Sequence, residues 1–143
     1  MNADENNKID NGDDESPFGP VIFSYTREQA IADGVLVDLT EWAKETGFTI
    51  PVACTSALWH GWITPPEKAK SMGQSERGRG HDILWMLFCA IRRSPGTRPL
   101  DQLHFKVLFQ QSPGRTETVR FKAICGPGDQ GEPVITITMP DED

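Results

Sequence analysis

The apolar positions of this chain keep different spacings in different regions, and each spacing predicts a different element. In the last third they alternate. Leu103, Phe105, Val107 and Phe109 are separated by His104, Lys106 and Leu108. Val119, Phe121, Ala123 and Cys125 are separated by Arg120, Lys122 and Ile124, and Ile135, Ile137 and Met139 by Thr136 and Thr138. A period of two places one set on a core face and the other on the opposite face. Turn-rich stretches, Gln111 to Thr116 and Gly126 to Glu132, join the runs. The segment therefore reads as a three-stranded antiparallel meander.

In the middle of the chain Ile83 to Ile91 are nine apolar residues in a row. Asp82 suits the positive end of a helix dipole, Arg92 and Arg93 suit the negative end, and Ser94-Pro95-Gly96 stops the run. A helix that is apolar on every side is buried on every side. Residues of about 81–93 are expected to form a buried central helix.

The first half carries shorter signals. Val21 to Tyr25 is strand-like, and Thr26-Arg27-Glu28-Gln29 has the form of a capping box, with Gly34 as a left-handed stop. Val35-Leu36-Val37 is a brief extended segment. Asp38 with Glu41 starts a second helix reaching Gly47, with Leu39, Trp42, Ala43 and Thr46 on one face. Pro51 suits the first turn of a third helix, running to about His60 with Gly61 as its stop and Trp59 facing inward. Residues 64–80 are polar, carry three Gly and two Pro, and read as a long structureless loop. The expected fold is α+β: N-terminal short helices, a buried central helix, and the C-terminal meander, with residues 21–25 and 35–37 as candidates to extend the sheet.

Charge divides the chain further. The formal charge is -7, but residues 1–15 hold -5 and residues 141–143 hold -3, leaving +1 for the body. Residues 1–17 lack hydrophobic periodicity and read as a disordered acidic tail, 18–140 as a single globular domain, and 141–143 as an acidic C-terminal end. An acidic mimic of nucleic acid is therefore a poor reading of the body. No apolar run approaches a membrane span. The acidic N-terminus is unlike a secretory leader, and three distant cysteines, Cys54, Cys89 and Cys125, suit buried thiols in a reducing cytoplasm.

Three blocks carry a resemblance. IFSYTREQAIADGVLVDLTEWAKETGFTIPVACTSALW, DILWMLFCAIRRS and KAICGPGDQGEPVITITMP, in this order, resemble a family of small uncharacterised bacterial proteins. That family is a domain of unknown function often encoded on plasmids and other mobile elements. The likeness covers roughly residues 20–140. It implies context, a small cytosolic accessory of mobile DNA, and supplies no catalytic or binding residue.

The residues themselves offer little chemistry. Gly73 to Gly80 (GQSERGRG) lacks the Lys-Ser/Thr ending of a phosphate loop, so no cofactor is expected. His60, His81 and the three cysteines show no metal-ligand spacing. Cys54 paired with a histidine would need a base that the sequence does not place, and each cysteine reads as a small core residue. His81 would begin the central helix, where the dipole disfavours its charge. An enzyme is not expected. Within the body, residues 16–63 carry -3 and residues 64–98 carry +4. Aromatic and Arg side chains together favour protein contacts. Trp62, Met72, Arg77 and Arg79 are therefore the candidate partner-binding residues, and another protein is the expected partner. The function so read is a non-enzymatic, protein-binding accessory factor of a mobile element, with inhibition of a host defence complex as one form. The alternative is a nucleic-acid-associated protein using the basic 64–80 loop and a cationic sheet face of Lys106, Arg120 and Lys122.

Overall fold

The computed structural model describes residues 25–94 and 102–142. The tail read over residues 1–17, and Val21 to Ser24 of the first strand-like run, lie outside these residues; Tyr25 is in no strand. Among the described residues the architecture is α+β, with five α-helices, a π-helical turn and one five-stranded mixed sheet.

The meander forms as its alternation predicts. Strands β3 (Gln102–Ser112), β4 (Arg115–Pro127) and β5 (Pro133–Thr138) pair antiparallel in chain order. Phe105, Val107, Phe109, Val119, Phe121 and Ala123 line the buried face. Two strands from the first half complete the sheet, in the order β1-β2-β5-β4-β3. β1 (Leu36–Asp38) fulfils the extended segment expected there, and pairs antiparallel with β2 (Val52–Thr55). β2 pairs parallel with β5. β5 lies at the centre of the sheet and buries Val134, Ile135, Ile137 and Thr138 on its two faces.

β2 replaces the third helix predicted from Pro51. Proline cannot donate to a ladder, which argues against a central strand. Pro51 lies one residue before the strand, and only its carbonyl is used, accepting from Ile135 N–H at 3.0 Å. Helix follows only at α3 (Ser56–Leu58), continued by a π-helical turn over Trp59–Ile63 that contains Gly61 rather than ending at it.

α1 (Arg27–Ala32) has the predicted capping box. Thr26 Oγ1 accepts from Gln29 N–H and Gln29 Oε1 accepts from Thr26 N–H. Gly34 takes φ +80° as expected. The two remaining free N–H groups of the first turn, on Arg27 and Glu28, donate to the Asp129 carboxylate at 2.8 and 3.0 Å. These two hydrogen bonds hold the Asp129 carboxyl below its usual range. α2 (Thr40–Thr46) buries Leu39 just before it and Ala43 on its inner face. Asp38 precedes it and accepts from the Thr40 N–H and hydroxyl.

Residues 64–80 are not a structureless loop. α4 (Glu67–Lys70) occupies part of the segment, and α5 (Glu76–Arg93) begins within it. Ser75 caps α5 by accepting from Gly78 N–H. The central helix is thus longer than 81–93, and Asp82 and His81 sit inside it, away from the dipole's positive end. Nor is it buried all round. Ile83, Leu84 and Leu87 are fully buried, whereas Trp85 and Ile91 are 48% and 42% exposed. α5 lies between α2 and β3 on the inner face of the sheet.

Candidate functional site

The predicted contact patch of Trp62, Met72, Arg77 and Arg79 does not assemble. Arg79 is 1% exposed and belongs to the core. Its Nε donates to Gln74 Oε1 at 3.1 Å and its Nη1 to the Trp62 carbonyl at 2.9 Å. Nη2 donates to the Gln110 carbonyl at 2.6 Å and to Gln111 Oε1 at 2.7 Å. The guanidinium lies over the Phe109 ring, 4.8 Å from its centroid, and Trp62 stacks on the same ring at 5.9 Å. A register shift between Gln110 and Ser112 brings Gln111 into this arrangement. One buried cation therefore joins α5, the π-helical turn and β3 through neutral acceptors. Burial pulls its pKa below the ordinary arginine value, with Asp82 acting the other way. Trp62 is likewise part of this hub. Met72 and Arg77 stay at the surface, and Arg77 pairs with Glu45 of α2 at 2.6 Å.

A different aromatic group is exposed on α5. Trp85 stacks on Phe88 at 5.8 Å, and Phe88 meets Phe48 edge-on at 5.6 Å. The Arg92 guanidinium sits 5.7 Å from the Phe88 centroid. Trp85, Phe88 and Arg92 follow at spacings of three and four, so they share one helix face. Nearer the helix start, Trp42, Glu45, Ser75, Arg77, His81 and Asp82 line a cleft of about 390 Å³ between α2 and α5. Trp85 was hidden from the sequence reading by the nine-residue apolar run, which gave no sign of which side faced water.

The cationic sheet residues do come together. In the β3–β4 register Lys106 lies opposite Arg120, and His104 opposite Lys122. All four lie on the face away from α5. Lys106, Arg120 and His104 are exposed and Lys122 is half-buried. Lys122 Nζ donates to the Glu142 carbonyl at 2.9 Å, while Glu142 Oε2 accepts from Thr55 Oγ1 at 2.8 Å and Met139 N–H at 2.7 Å. The acidic end is thereby fastened over β2 and β5.

The cysteines divide. Cys54 is buried between β1 and β5; burial, then the Glu142 carboxylate, push its thiol up to about 12. A thiol held that high stays protonated and makes a poor nucleophile. Cys89 is half-buried, and Cys125, read as a core residue, is exposed near the end of β4, opposite Ile135 of β5. Among the described residues no group of three or more His, Cys, Asp or Glu side chains is placed to hold a metal ion. None of their helices is long and apolar enough to cross a membrane.

Residues 18–143 match the sequence profile of a family described as a family of unknown function, DUF6573. The chain belongs to DUF6573. The match takes in every described element of the fold, the Arg79 hub, the Trp85 face and the cationic sheet face alike. No curated protein and no solved structure matches this DUF6573 chain, so its surfaces must be read from their own chemistry.

Proposed function

We propose that this DUF6573 protein is a non-enzymatic, protein-binding accessory factor of a bacterial mobile element, acting in the cytoplasm, with inhibition of a host defence complex as its task. The observation that carries protein binding is the exposed Trp85–Phe88–Arg92 face of α5. Tryptophan and arginine dominate the energetics of protein interfaces because each brings a large, stiff contact area with a polar end. Trp85, 48% exposed, with Phe88 stacked on it and Arg92 beside that ring, offers an aromatic anchor flanked by a cation for a partner to cover. Burial of Cys54 between β1 and β5, which raises its thiol pKa, takes one candidate nucleophile away. The mobile-element and host-defence setting rests on the resemblance alone.

The test is photo-crosslinking in the host with a benzophenone side chain at Trp85, compared with one at Leu108 on the opposite layer. The expected result is one discrete crosslinked protein at Trp85. Trp85→Ala should then weaken the purified pair by at least ~30-fold, the size of an interface hot spot of about 2 kcal/mol. Crosslinking only at Leu108, or a Trp85→Ala chain that binds equally well, would remove the α5 face from consideration. The nucleic-acid reading has its own observation, the Lys106–Arg120 register, on the far side of the sheet.

A further inference from the structure

Two cations set directly opposite each other on neighbouring strands repel, and such pairs are destabilising. Lys106 and Arg120 are such a pair, and His104 and Lys122 stand beside them. The outward positions of β3 and β4 are Gln102, His104, Lys106, Leu108 and Gln110, and Thr116, Thr118, Arg120, Lys122, Ile124 and Gly126, with no acid among them. Among the described residues neither Lys106 nor Arg120 is in an ion pair, although Lys44, Lys70, Arg77 and Arg115 all are. A local conflict of this kind, kept where solvent could host any polar side chain, points to use rather than to folding.

We propose that the open β3–β4 face is a nucleic-acid binding surface that holds the phosphate backbone without reading bases. Charge complementarity selects the ligand. Lys106 and Arg120 are an exposed ammonium and guanidinium, with the Thr118 hydroxyl next along β4 and Lys122, whose Nζ also donates to the Glu142 carbonyl, at their side, which is the chemistry of backbone contacts. The face carries no Phe, Tyr or Trp to stack a base, His104 being its one ring, and Leu108, 60% exposed, is its one large exposed apolar group. Without an aromatic centre it lacks the desolvated core of a protein hot spot. This surface is separate from the Trp85 face, so either can fail alone.

The experiment is fluorescence anisotropy of the full chain with labelled oligothymidylate and mixed-sequence duplex, each about 20 units long, enough for one module. Neutralising about three phosphates predicts an affinity loss of roughly 20- to 40-fold between about 50 mM and 200 mM salt, similar for different base sequences. Lys106→Glu should weaken binding about tenfold at low salt and reduce the salt slope by about one, while the melting temperature holds or rises. Arg120→Gln should weaken it several-fold, and Lys68→Glu, on α4, should leave it within twofold. A full-length chain with the six acids of residues 1–15 changed to amides removes competition from that segment. Absence of salt-dependent binding by both this chain and the parent overturns the proposal. So does binding that survives Lys106→Glu and Arg120→Gln, or displacement by polyglutamate as effective as displacement by the oligonucleotide, which would assign the face to acidic protein.

Discussion

Arg79 and the Lys106–Arg120 pair are all cations near β3, yet they are treated in opposite ways. Arg79 is sealed from water with four acceptors around its guanidinium, none of them charged. Lys106 and Arg120 face water and each other, and among the described residues neither side chain meets an acceptor. A planar fork of donors suits the first setting, because it can satisfy several carbonyls at once from a fixed position. The second setting holds a Lys106 ammonium and an Arg120 guanidinium opposite each other by strand register, with water around both. A count of basic residues cannot separate these roles. The +4 of residues 64–98 pointed to a binding loop, but Arg79 holds the fold together and Arg77 is taken by Glu45.

The contrast can be broken first at Arg79. Arg79→Ala leaves two backbone carbonyls and two side-chain amides without their donor in a buried site, and should cost about 3–5 kcal/mol in a urea or thermal melt. Arg79→Lys should recover little of this, since one ammonium cannot span all four acceptors. A stable Arg79→Ala chain would mean that the hub is not structural. Gly80 gives the next effect. A Cβ there would come within 2.5 Å of the Trp42 ring, so Gly80→Ala should lose about 1–3 kcal/mol despite alanine's better helix propensity, read from the same melts. The smallest effect has the opposite sign. Lys106→Glu puts a carboxylate opposite Arg120 and should gain about 0.2–1 kcal/mol, with the gain shrinking as salt is added. A loss there would show that the cation is needed for folding, and would merge the two regions that the comparison keeps apart.

The meander, the capping box at Thr26 and the helix into Gly47 were legible because each rests on local chemistry, whether alternation, a hydroxyl with its reciprocal amide, or a glycine stop. What the sequence hid depends on contacts between distant segments. β2 is four residues long and buried at its first three, so it has no alternation to show, and Pro51 beside it favoured helix. Glycines in GQSERGRG resembled a loop, but Gly80 is there because the Trp42 ring occupies the space of its missing side chain. Arg79 looked like a surface base because nothing in a sequence reveals that the Trp62 and Gln110 carbonyls converge on it. For the candidate sites, strand alternation was enough to place Lys106 near Arg120 and Lys122. The Trp85 face could not be found, since a run apolar at every position has no phase.

The order β1-β2-β5-β4-β3 makes the last strand in the chain the middle strand in space. During synthesis β1 and β2 leave the ribosome long before β5 exists, and β2 must wait with one edge unpaired. The hairpin of β3 and β4 waits likewise. Neither half can close a sheet alone, because the partner for both is made last. Long-range parallel pairing of this kind is slow to form and exposes strand edges meanwhile. The sheet is therefore closed only when β5 is in place, and a chain cut before Pro133 would leave β2 and β4 each with an unpaired edge.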